Sequence, residues 1–127
     1  MRCEHTMCQQ PDCSDCFPIH RGMTTDAKER KALPLFSGVC AYFPDALVAI
    51  SELSQKGNDQ HNPGEPLHWA RSKSGDEADA LMRHLLEHGT VDTDGIRHSV
   101  KVAWRALALL QKELEAAGAP LARGARR

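Results

Sequence analysis

Apolar residues recur at helical spacing in three stretches of the chain, separated by polar segments rich in glycine and proline. In the first stretch, Ala46, Leu47, Ile50 and Leu53 follow Pro44 and Asp45. Proline at a first helical position already has the helical φ, and an acid there meets the positive end of the helix dipole. The spacing predicts a helix that opens at Phe43 to Asp45, runs to about Lys56 and stops at Gly57. In the second stretch, Ala78, Leu81, Met82, Leu85 and Leu86 give the i, i+3, i+4, i+7, i+8 pattern of a buried face. Ser74 followed three residues later by Glu77 reads as a reciprocal capping box, so this helix is expected from Gly75 to His88, ended by Gly89. The third runs from about His98 to Ala117 and turns Val100, Ala103, Trp104, Leu107, Leu110 and Leu114 inward.

The remaining segments lack such periodicity. KALPLFSGVCAY, from Lys31 to Tyr42, breaks its apolar run at Pro34 and Gly38 and suits an extended or turning cover over a core. A long loop, NDQHNPGEPLHWARSKS, isolates Trp69 among His and basic residues, and loops of this composition usually bind something. With no alternating strand pattern, the fold class is all-α. Residues 1–30 form a Cys/His-rich appendage, 31–117 the folded domain, and 118–127 a basic tail expected to be disordered. Three helices in 127 residues with 5% aromatic content make a thin core, so a second copy of the chain is expected to complete it.

A formal net charge of -1 argues against nucleic acid as the partner. No run approaches the roughly 20 apolar residues of a membrane span, and the polar N-terminal segment lacks a signal-like apolar core, so a cytoplasmic location is expected. Cys3, Cys8, Cys13 and Cys16 crowd into a segment that also holds His5 and His20. In a reducing compartment such a group suits structural zinc better than disulfides, although the Cys3 to Cys8 spacing is wide for a zinc knuckle; zinc and a metal-free flexible segment both remain open. Cys40 reads as a small core residue.

Phosphate-binding loops, dinucleotide fingerprints, nucleophile elbows and HExxH are all missing, which leaves carboxylates as the candidate chemistry. Asp76 and Asp79 lie three apart on the second helix and so project from one face, as two ligands of one hard cation must. Arg83 continues that face. Glu52 flanks the stripe of the first helix, Asp59 follows seven residues later, and antiparallel packing of the two helices brings these acids together. Mg²⁺ or Mn²⁺ held by carboxylates neutralises phosphate oxygens and activates water. Arg71, Lys73, Arg83 and Lys101 are candidate phosphate partners, and His61, Asn62 and Trp69 candidate base contacts. Each has a structural alternative. Asp76 is equally a first-turn acid, Asp79 with Arg83 an i, i+4 ion pair worth about 0.5 kcal/mol or less, and Glu52 a solvated helix acid. His84, His88 and His98 read as surface or capping residues, and Trp104 as core.

The stretches KALPLFSGV, YFPDALVAISELSQKGNDQHNPGEPLHW, DALMRHLLEHG and GIRHSVKVAWRALALL, spanning about Lys31 to Glu115, resemble the bacteriophage dATP/dGTP diphosphohydrolase family, grouped with the MazG-like all-α nucleoside triphosphate pyrophosphohydrolases. The resemblance implies a MazG-like helical bundle that assembles as a dimer or tetramer. It also implies a deoxypurine triphosphate substrate, dGTP first, cleaved to the monophosphate and pyrophosphate in a host cytoplasm, with dGMP feeding phage 2-aminoadenine synthesis. The family holds Mg²⁺ or Mn²⁺ with ExxE on one helix and ExxD on the next. Here Asp76-Glu77-Ala78-Asp79 fits the second motif with Asp for Glu, whereas the first reads Glu52-Leu53-Ser54-Gln55, glutamine standing for the second acid. The expected catalytic and metal set is therefore Glu52, Asp76 and Asp79, with Asp59 or the His61 to Glu65 loop supplying the missing ligand. The rival reading is a zinc-stabilised helical binding module whose functional part is the cysteine cluster.

Overall fold

The computed structural model describes residues 25–126. The group Cys3, Cys8, Cys13 and Cys16, and with it the candidate zinc site, lies outside the described residues. The architecture is all-α with almost no strand. Helix α1 (Ala27–Lys31) is capped by Asp26, whose side chain accepts from the Glu29 N–H at 2.9 Å. The cover segment is not extended but closes a π-helical turn, Phe36–Cys40. Gly38 permits it, because a Cβ there would sit 3.1 Å from Pro34 Cγ.

Helix α2 (Pro44–His61) begins at the expected proline but runs through Gly57 instead of stopping there. Glycine inside a helix costs roughly 1 kcal/mol, and the polar staple beyond it offsets that cost. Buried Asn58 donates to the Glu65 carbonyl at 3.1 Å and accepts from Asn62 at 3.2 Å, which ties the following loop to the last helical turn. Helix α3 (Glu77–Leu86) is shorter than expected, and its reciprocal capping box is not formed. Ser74 Oγ donates to Asp76 at 3.0 Å, while the buried Glu77 carboxylate accepts from Lys112 Nζ at 2.9 Å. A charge-assisted bond between helices outweighs a local cap. Helix α4 (His98–Ala116) matches its predicted span to within a residue.

α4 is the central element: α3 packs along it, and α2 packs on it more lightly. Ala80 on α3 and Ala108 on α4 are the buried apolar residues among those described, small side chains that let the two backbones approach. Trp104, expected as core, is only half-buried, and His98, expected as a surface or capping residue, is buried in the first turn of α4. After Gly118 the chain turns back where a free tail was expected. Strand β1 (Trp69–Ala70) pairs in parallel with β2 (Ala125–Arg126), and the Ala122 N–H donates to Glu115 at 2.8 Å. Large apolar side chains remain open to solvent, among them Leu86, Phe36 and Tyr42. No single helix among the described residues is long and apolar enough to cross a membrane.

Candidate functional site

A cavity of about 440 Å³ opens between the inner face of α2, the β1 segment and α4. That volume lies within the roughly 300–1,000 Å³ occupied by small-molecule sites. Helical spacing explains its wall on α2, since Leu53, Gly57, Asn58, His61 and Ser54 share one side of the helix. Trp69 and Trp104 meet edge to face on the opposite wall, with centroids 5.9 Å apart and planes at 87°. The Arg105 guanidinium lies over the Trp104 ring, 5.6 Å from its centroid.

The cations around this cavity differ in what already neutralises them. Lys73 donates to the His61 carbonyl at 2.7 Å and to Asn62 Oδ1 at 2.8 Å, closing the C-terminal end of α2, where a positive charge is favoured. Among the described residues it forms no ion pair. Arg105 donates to Ser74 at 2.7 Å and stays 3.9 Å from Glu77. Lys101 is held at 2.6 Å from Asp92 and 2.7 Å from Asp94. Burial works against its charge, but the two aspartates outweigh that and raise its pKa.

Six of the residues singled out in the sequence line the cavity together: His61, Asn62, Trp69, Lys73, Asp76 and Lys101. The others stand elsewhere. Arg71 bonds to the buried Glu115 carboxylate and stacks over Trp69 at 5.1 Å. Arg83 reaches Asp76 at 3.0 Å rather than Asp79, across an exposed pair worth little in stability. That arginine and Ser74 hold the Asp76 carboxyl below its usual pKa. Asp79 is exposed and bonds to no described side chain. On α2, Glu52 is exposed and Asp59 accepts from Gln55 at 3.0 Å, and neither belongs to the cavity wall. Asp76 and Asp79 are both exposed, but Ser74 and Arg83 already bond to the two Asp76 oxygens, and neither Glu52 nor Asp59 joins them in a cluster of metal-capable groups among the described residues. Among the described residues, the group of three metal-capable side chains whose ligand atoms lie within 4.8 Å of one another is His84, Asp92 and His98.

That cluster was missed in the sequence because it is built by a turn, not a spacing motif. Asp92 and Gly95 bracket a tight loop in which the Gly95 N–H donates to the Asp92 carbonyl at 3.0 Å and the Asp92 N–H to the Ile96 carbonyl at 2.8 Å. Gly95 has φ +82°, a left-handed conformation that a side chain disfavours. Thr93 N–H and Ile96 N–H then orient the Asp92 and Asp94 carboxylates, at 2.7 and 3.1 Å. The hydrogen bond from Lys101, seconded by Thr93, lowers the Asp92 pKa to about 2. The Asp-x-Asp-Gly run at Asp92 was its one sequence signal.

Residues 22–119 match the family model described as dATP/dGTP diphosphohydrolase, N-terminal. No curated protein and no solved structure matches the chain significantly. The matched segment takes in the whole cavity and the four α-helices of the described residues, and on it the chain belongs to the dATP/dGTP diphosphohydrolase family.

Proposed function

We propose that the chain is a divalent-metal-dependent pyrophosphohydrolase that converts dGTP, and dATP less readily, to the monophosphate and pyrophosphate. The observation that carries this reading is the cavity itself: in a member of this family, it puts two indoles on one side of a ligand-sized space and two cations, Lys73 and Arg105, at its rim. An indole face supports a purine through stacking worth about 1–3 kcal/mol. An ammonium with no ion pair among the described residues and a guanidinium paired only loosely, with Glu77 at 3.9 Å, can meet phosphate oxygens. Lys73 and Arg105 suit that role better than Lys101, which Asp92 and Asp94 already neutralise.

Asp76 and Asp79 hold the metal in this reading, and Glu52 completes the set from a second copy of the chain or through a closer approach of α2. Bound Mg²⁺ or Mn²⁺ supplies neutralisation of the phosphate charge and an activated water. Ligation by Asp76 would share or exchange the bonds its carboxylate already makes with Arg83 and Ser74. The exposed apolar side chains of the π-helical turn and of α3 support a homodimer or homotetramer. Release of dGMP fits supply of a phage 2-aminoadenine pathway.

Incubating the purified chain with dGTP or dATP and Mn²⁺ tests the proposal. Pyrophosphate and monophosphate in equal amounts, abolished by a chelator, are expected. Orthophosphate as the first product, or turnover indifferent to chelation, would sink it.

A further inference from the structure

We propose that His84, Asp92 and His98 form a second metal site, for a borderline divalent transition ion of the zinc type, separate from the carboxylate set of the reaction proposed above. The Nδ1 atoms of His84 and His98 face each other at 2.8 Å, and Asp92 Oδ2 lies 3.9 Å from His98 Nδ1. Two imidazole lone pairs at that distance repel unless a proton or a cation lies between them. Tetrahedral bonds of about 2.0–2.1 Å put neighbouring ligand atoms roughly 3.3 Å apart, between the two separations found. These two separations are within about 0.6 Å of the chelate spacing, and all three ligand atoms lie within 4.8 Å of one another. Two imidazoles and one carboxylate are a borderline donor set, which favours zinc-type ions over Mg²⁺.

The surroundings have the features of an outer coordination shell. His98 Nε2 lies 3.5 Å from a Glu87 carboxylate oxygen, an acceptor that favours a proton on that nitrogen and leaves Nδ1 facing inward as a ligand atom. Asp92 is fixed through both oxygens, Oδ1 accepting from the Thr93 N–H and Oδ2, the ligand oxygen, also accepting from Lys101. His98 is buried, and burial together with the Lys101 charge also favours neutral His84, the form that ligates. Three protein ligands leave a tetrahedral ion one free position, and because His84 is part of the cavity wall, an oxygen of a cavity ligand is the natural occupant.

Cobalt titration of the full chain tests this without reference to turnover. Co²⁺ held by histidine and carboxylate gives visible d–d absorption, whereas thiolate ligation adds near-ultraviolet charge-transfer bands. One equivalent with a d–d band is expected in a full-length variant whose Cys3, Cys8, Cys13 and Cys16 are replaced by serine. In that background His84→Ala and Asp92→Asn should each weaken binding by at least the roughly 10–100-fold that loss of an outer-shell partner costs, with unchanged far-ultraviolet circular dichroism. Asp79→Ala should keep the band, so failure of the carboxylate assignment leaves this test intact. A band that survives His84→Ala undiminished, or that is missing from the four-serine chain, overturns the site.

Discussion

Lys112 Nζ on α4 lies 2.9 Å from Glu77 Oε1 on α3, and the glutamate side chain is only 5% exposed. Burial pushes the Glu77 pKa up, but the bonds to Lys112 and to its own backbone N–H outweigh it, and the carboxyl is held ionised. Removing the ammonium strands a buried charge, for which losses of 3–5 kcal/mol are usual. Arg105 remains 3.9 Å away, so Lys112→Met should cost toward the lower end, about 3 kcal/mol, in urea unfolding. Changing both residues, Glu77→Leu with Lys112→Met, should recover most of that loss.

Acid should unfold the domain in a definite window. Asp76, Glu77, Asp92, Asp94 and Glu115 all have depressed carboxyl pKa values, Asp92 down to about 2. A carboxyl more acidic in the folded chain stabilises it above the unfolded value, and that contribution fades as pH falls through the folded one. His84, whose pKa is lowered by burial and then by Lys101, adds a loss at higher pH, beginning near its ordinary value of 6.5. Thermal midpoints should therefore decline gently below about pH 6.5 and steeply between about 4 and 2. A flat profile over pH 4–7 in His84→Leu would assign the upper limb to that histidine.

Trp69→Ala should weaken nucleotide binding by about 10–100-fold, the equivalent of a lost stack of about 1–3 kcal/mol. Because its ring also contacts Trp104 and Arg71, stability must be measured alongside. Trp69→Phe keeps an aromatic face and should restore most of the affinity, which a purely structural role would not predict. Fluorescence quenching by dGMP provides the readout.

How much of this was legible beforehand depended on the range of the interaction. The α4 stripe from Val100 to Leu114 marks a helix whose ends fall where expected, although Leu107 and Leu110, expected to point inward, stay exposed. Gly57 was misread as a stop because the Asn58 and Asn62 bonds that carry α2 past it involve the loop beyond. Ser74 and Glu77 satisfied the capping pattern, yet Lys112, 35 residues away, decides where Glu77 goes. His61, Asn62, Trp69 and Lys73, which stand out by composition alone, do line the cavity. His84 and His98 do not stand out in that way, since what brings them together is the turn around Gly95, and neither histidine announces a partner 14 residues off.

Asp79 offers the cleanest separation of catalysis from folding. Its carboxylate is exposed and bonds to no described side chain, so Asp79→Ala should change stability by no more than about 0.5 kcal/mol. If it ligates the reaction's metal, the same change should lower pyrophosphate release by at least about 100-fold, and higher Mn²⁺ concentration should recover part of the loss. Glu52→Gln, at an equally exposed position on α2, should behave alike if that helix supplies the other half of the site. Mixing the two inactive variants then tells where the halves meet. Should one site draw Glu52 from one copy and Asp79 from another, mixed oligomers regain part of the activity, because some of their sites receive both intact residues. If both acids come from the same chain, every site carries a lesion and mixing restores nothing.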